Sequence, residues 1–191
     1  MGDPRRRRKN YHSPGHPYEK SRIESELVLV GRYGLRNKRE LWKARTRMGN
    51  YRAQARAILA LEAEEREEQE QILITKLVRL GIVEEGTTSD EVLGMEVEAI
   101  LKRRLQTQVL ENGLASTIHQ ARQLIAHRHI AVNGRVMTSP SYLVPIREED
   151  KIAYAPNSPF FENPDHPTVK DSLSRDMGLV EIPKQTRGRR R

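Results

Sequence analysis

From Asn37 onward, Leu41, Ala44, Met48, Tyr51, Ala55 and Ile58 recur at alternating steps of three and four, one continuous apolar stripe along an α-helix. Asn37 is placed to cap it, with Glu40 at the third helical position. Upstream, Ser21 and Glu24 have capping-box spacing and predict a helix that starts near Ser21 and stops at Gly31 to Gly34. Downstream, an acidic run over residues 62–70 leads into Ile72, Ile74, Leu77, Val78 and Leu80 and ends at Gly81. Its acidic first turns suit the positive end of a helix dipole. Thr88 and Glu91 repeat the capping-box spacing ahead of a short helix through about Leu93. Helical periodicity resumes over residues 96–112 and predicts one helix, stopped by Gly113.

The pattern then shortens. Ser116 is a suitable N-cap for a helix whose buried face is Ile118, Ala121, Leu124 and Ile125. Ile130-Ala131-Val132 and Arg135-Val136-Met137 flank Asn133-Gly134, the pair a type I′ hairpin turn prefers because both central residues need positive φ. Further short strands are expected near residues 142–144 and 151–154. The class is α+β: a basic extended arm (residues 1–18), a helical N-terminal region (19–100), a small domain of two to three helices with a short antiparallel sheet (101–155), and an extended tail (156–191) ending in Arg187, Arg189, Arg190 and Arg191.

Composition adds a partner. The 191 residues are 36% apolar and 31% charged, which means a thin core and a large solvated or partner-covered surface. The net charge of +8 suits a polyanion, and its distribution is uneven. Residues 1–56 hold 16 Lys and Arg against 5 Asp and Glu, whereas residues 57–100 hold 3 against 12. An acidic middle therefore masks a strongly basic N-terminal third. Cysteine is absent, so disulfides and thiolate zinc sites are excluded. No apolar run approaches the ~20 residues of a membrane span, and no hydrophobic segment follows the basic N-terminus, so a cytoplasmic protein is expected.

The candidate chemistry is contact with phosphates. On the 37–58 helix, Lys38, Arg45, Arg52 and Arg56 flank the apolar stripe on one side, Lys43 and Arg47 on the other, and Arg39 lies nearer the back. Such a helix can dock on protein and touch phosphates at once. Arg5, Arg6, Arg7 and Arg8 extend the basic surface into the arm. On the later helix, His119, Arg122, Gln123 and Ala126 fall at i, i+3, i+4 and i+7, away from its apolar residues. Arg128, His129 and Arg135 lie on or beside the hairpin. Phosphate-binding loops and catalytic motifs are absent. His127 and His129, two residues apart, do not share a helix face, so no metal is expected; nor is a cofactor or a small-molecule substrate. The acidic run reads as a solvated face or a counterweight to the basic helix.

The run Arg104-Leu105-Gln106-Thr107, Gly113-Leu114-Ala115, Ile118 to Ile125, His127 to Ile130, Val132-Asn133-Gly134 and Pro140-Ser141 closely resembles the RNA-binding domain named after the small-subunit ribosomal protein S-four. The similarity is greatest to the archaeal and eukaryotic branch of that family, the S-nine type, and takes in Asn37 to Trp42 and Leu80-Gly81-Ile82 upstream. It spans about residues 5–155. The resemblance implies a non-catalytic constituent of the small ribosomal subunit that binds small-subunit ribosomal RNA early in assembly, beside neighbouring ribosomal proteins. It also implies that Arg103, Arg104, Thr107, His119, Arg122, Gln123, His127, Arg128 and Arg135 carry the RNA-binding face. Where relatives of the wider domain often have Ser-Arg-Ser, this chain has Thr117-Ile118-His119, so the arginine is absent and His119 beside its place offers a weaker, pH-dependent contact. Two alternatives are an RNA-modifying enzyme, for which no catalytic domain is evident, and a free-standing accessory factor. Aromatic residues make up only 5%, which argues against base-stacking sheets.

Overall fold

A computed structural model describes residues 9–162. Arg5, Arg6, Arg7 and Arg8, and the C-terminal tail beyond Glu162, lie outside the described residues. In chain order the elements are α1 (Lys20–Arg32), α2 (Lys38–Leu59), α3 (Ala63–Arg79), α4 (Ser89–Gly94), α5 (Val97–Lys102), α6 (Leu105–Glu111), α7 (Ile118–Ala126), β1 (Ile130–Val132), β2 (Arg135–Val136), α8 (Ile146–Glu149), β3 (Ile152–Tyr154) and α9 (Pro159–Glu162). The fold is α+β, with one antiparallel sheet in the order β2-β1-β3.

The stripe that opened the sequence reading is the spine of the first core. All six of its residues are buried, and they pack with Tyr33, Leu35, Leu73, Leu77, Val92, Ile100 and Leu101. Asn37 caps α2 as its position demands, its side chain accepting the Glu40 N–H at 3.2 Å. A second core gathers Leu105, Val109, Ala121, Leu124, Ile125, Ile130, Val132, Val144 and Ile152. Between the two cores lie Arg103 and Arg104.

Several local expectations yield to longer-range partners. The helix expected over residues 96–112 is two helices, broken at Arg103-Arg104. There the chain bonds to a distant segment instead of to itself: Leu105 N–H donates to Tyr142 O (2.7 Å), Gln106 N–H to Pro140 O (3.3 Å) and Val144 N–H to Arg103 O (2.9 Å). Those carbonyls cap α6, and the strand expected at 142–144 reduces to a single bridge between Arg104 and Leu143. The Ser21 capping box does not form; α1 begins at Lys20 after Glu19. The Thr88 side chain makes no cap either; at this end Glu70 accepts the Ser89 N–H at 2.7 Å. The N-cap of α7 is Thr117, one residue later than expected, and its side chain accepts from Gln120 N–H. The hairpin turn has positive φ at both Asn133 and Gly134 (51° and 75°), as its sequence requires. Residues 159–162, expected as tail, form α9, whose Phe160 packs edge-on against His129.

Gly34, in the turn between α1 and α2, sits where the two cores touch. Its φ is +53°, and a Cβ there would lie 2.8 Å from both Gln106 Nε2 and Ile118 Cγ1. Gln106 Nε2 donates to Gly34 O (3.1 Å) and to Ile118 O (2.9 Å), so the side chain that would be struck is already fixed. Gly34→Ala is expected to lower unfolding free energy by at least about 2 kcal/mol, combining left-handed strain and overpacking. A urea melt superimposable on the parent's would contradict this account of the contact.

Candidate nucleic-acid interface

The two flanks of α2 meet different fates. On the first, Glu26 of α1 is 0% exposed and collects cations. Arg45 reaches it at 2.6 Å, Arg22 at 3.0 Å and Lys38 at 3.4 Å, and Trp42 Nε1 donates to it at 3.2 Å. Arg52 donates to the Met95 carbonyl. Lys38, Arg45 and Arg52 are therefore spent largely on holding α2 to its neighbours, while Arg56, further along, is exposed. Sequence reasoning passed over Glu26. Its signal was an acid between Ile23 and Val30, on the face of α1 that turns toward the core. Burial by itself raises the Glu26 carboxyl pKa, but the hydrogen bonds from Arg22 and Trp42 and the charges of Arg45 and Arg22 outweigh it, and the net value is lowered.

The second flank opens onto a cleft of ≈ 540 Å³ lined by Lys43, Thr46, Arg47 and Asn50 of α2, by Arg104 and Arg122 across the junction, and by Pro140 and Ser141. The N-terminal arm borders it too, through Asn10. That arm is held on α2, with the Tyr11 ring 5.9 Å from Trp42 and His12 N–H donating to Thr46 Oγ1 at 3.0 Å. Glu40 stands inside the cleft. Its two oxygens take Arg104 at 2.6 Å and Arg122 at 2.5 Å. Arg122 also donates to Gln106 Oε1 at 3.0 Å and to Gly34 O at 3.3 Å. One carboxylate thus fixes two guanidiniums from the second core against the start of α2, and the cleft keeps four cations against that single acid.

The residues implied by the resemblance are divided by this arrangement. Arg103, Arg104 and Thr107, expected on the RNA-binding face, are buried and bonded to protein, with Arg104 still on the lining of the cleft. Arg103 donates to Val144 O (2.8 Å) and pairs with Glu149 (2.9 Å), and Thr107 Oγ1 donates to Leu101 O (2.9 Å). Their burial follows from the break between α5 and α6, which periodicity does not reveal. Burial pushes the Arg104 guanidinium pKa down against the pull of Glu40, and a guanidinium remains charged regardless. Arg122 is half-turned into the cleft. His119, Gln123, His127, Arg128 and Arg135 are exposed, as are Arg39, Lys43 and Arg47 on α2.

Arg128 carries a further signal. It follows α7 in the left-handed region, φ +67°, with Arg128 N–H donating to Ile125 O and His129 N–H to Leu124 O. That is the Schellman closure, in which glycine usually takes this place. An arginine is held there at a cost of about 1 kcal/mol relative to glycine, with its side chain exposed. Among the described residues no group of three or more His, Asp or Glu is arranged to hold a metal, and no helix is long and apolar enough to cross a membrane.

Two stability predictions follow from the acids. Because the folded-state pKa of Glu26 is lowered, its contribution is present above the unfolded value of 4.5 and is lost as pH falls through the lower folded one. Urea melts from pH 6 downward should show a shallower acid-side loss in Glu26→Gln than in the parent; equal slopes would contradict the assignment. Glu40→Ala strands two arginines and should cost about 3 kcal/mol, the lower end for a broken buried pair. A loss below about 1 kcal/mol, the scale of an exposed pair, would show that the bridge is solvated.

The profile of the family described as S4 domain matches residues 103–152. The small ribosomal subunit protein uS4 of Ignicoccus hospitalis is 52% identical over 162 residues, covering 85% of this chain and 98% of its own. Those of Sulfurisphaera tokodaii and Hyperthermus butylicus are each 53% identical, over 86% and 84% of this chain and 93% and 91% of theirs. At that identity and coverage, the chain belongs to the uS4 family of small ribosomal subunit proteins.

Proposed function

We propose that this chain is a structural, non-catalytic constituent of the small ribosomal subunit, and that it binds small-subunit ribosomal RNA through the cleft between its two cores. The observation that carries the reading is the cleft itself, where Lys43 and Arg47 line the same recess as a carboxylate shared between Arg104 and Arg122. A rigid cationic recess of this kind reads the spacing of phosphates and the shape of a junction, since helical RNA hides its base edges in a deep, narrow groove. His119, Gln123, Arg128 and Arg135 continue the polar surface along α7 and the hairpin. Arginines in both terminal arms add counterion release. Binding of this kind needs no neighbouring protein, which suits a component that joins the RNA early in assembly. On this reading its place is on the ribosome in the cytoplasm.

Filter binding of the full chain to a small-subunit rRNA transcript across a salt series is expected to show a steep fall of affinity with salt. Lys43→Ala with Arg47→Ala should flatten the log–log slope by about 2, one for each phosphate contact removed. Arg128→Gly should raise stability by about 1 kcal/mol and yet weaken RNA binding. A flat salt response, or an unchanged slope in the double variant, would contradict the proposal.

A further inference from the structure

The two adjacent arginines at the α5–α6 break enter two different recesses that share no lining residue. Arg104 enters the basic cleft. Arg103 enters a furrow of ≈ 500 Å³ whose walls carry Glu96, Glu98, Glu111 and Glu149 against Lys102 and Arg103. The furrow runs on past Glu84 and Glu85, over an apolar floor of Ile82, Val83 and Ile146, with Ile146 47% exposed. Gly81 makes the floor deep: a Cβ there would lie 2.7 Å from Arg103 Cζ. Glu98 is paired with Arg32 (3.1 Å) and Glu149 with Arg103 (2.9 Å), and the remaining carboxylates still give this recess a local excess of acid in a chain of net charge +8, unfavourable to phosphates.

We infer that this furrow docks an extended, Arg- and Lys-rich segment of a neighbouring protein. Three observations support the choice of partner. The charge is complementary to a cationic polypeptide and opposed to RNA. The apolar floor accepts the aliphatic stems of Arg and Lys or an intervening hydrophobic residue. Gln108, which is 3% exposed and lines the furrow, lacks a donor for its side-chain carbonyl. Its amide nitrogen is committed to Lys102 O (3.1 Å) and Glu111 Oε2 (2.8 Å), and its oxygen is a buried acceptor on the furrow's lining for which the described residues supply no donor. Burial, and then the charge of Glu149, raises the Glu111 carboxyl pKa, the state of an acid crowded by its own kind and relieved by an incoming cation. The ribosomal reading supplies the identity of the partner, a protein neighbour on the subunit, while the chemistry of the furrow stands apart from it.

The test uses the full chain and a fluorescein-labelled peptide of repeated Arg-Ile-Gly-Arg, read by fluorescence anisotropy. Binding is expected to weaken with salt, and to fall by about ten-fold in Glu96→Gln/Glu111→Gln, which keeps the size of both side chains. The same variant should keep the parent's thermal melt and its rRNA affinity. Glu65→Gln/Glu68→Gln, on the exposed acidic face of α3, should leave peptide binding unchanged. Unchanged peptide affinity in the furrow variant, or an equal loss in the α3 variant, would overturn the inference. So would a clear loss of rRNA affinity in the furrow variant, since RNA would then be the occupant. Failure of the parent chain to bind rRNA while peptide binding persists would count against the ribosomal reading alone.

Discussion

The carboxylate of Glu40 is the constraint on which the rest depends. It stands in the first turn of α2, where an acid is favoured by the helix dipole, and it holds Arg104 and Arg122 from the other side of the junction. Without it those two guanidiniums would face Lys43 and Arg47 across a narrow recess with nothing to offset their repulsion. With it, one acid lets four cations share a cleft and still leaves that cleft positive. The same bond joins the two cores, so the geometry of the junction and the geometry of the basic surface are set together.

Charge sorting follows from a backbone event. At the α5–α6 break the chain takes its hydrogen bonds from the segment around Pro140 and Tyr142, and consecutive side chains diverge. Arg104 reinforces the basic cleft, whereas Arg103 is drawn to Glu149 among acids. A chain that is basic overall thereby separates a surface suited to phosphates from a surface suited to cations. The cations of α2 are divided in a similar way, with Lys38 and Arg45 neutralised on the buried Glu26 while Lys43 and Arg47 remain available.

Much of this was legible in residue order. The α2 stripe, its Asn37 cap, the Asn133-Gly134 turn and the polar face of α7 are local patterns that the fold keeps, whereas the capping boxes at Ser21 and Thr88 are not formed. What was not legible depends on partners far away in sequence. Residues 96–112 read as one helix because nothing nearby announces that Tyr142 and Pro140 will cap a new one at Leu105. Glu40 read as an ordinary third-position acid because its partners lie 64 and 82 residues on. Arg103 and Thr107 read as surface because their burial comes from that same long-range pairing. At Arg128, by contrast, a non-glycine residue closes a helix in the left-handed region, and only the observed φ made that visible.

On the proposed reading, the α5–α6 break separates a surface that meets RNA from one that does not. Photo-crosslinking from a probe residue placed at position 47, in the cleft, or at position 96, in the furrow, tests it within assembled small subunits. Crosslinks to ribosomal RNA are expected from position 47 and to protein from position 96. RNA crosslinks from position 96 with none from position 47 would contradict it.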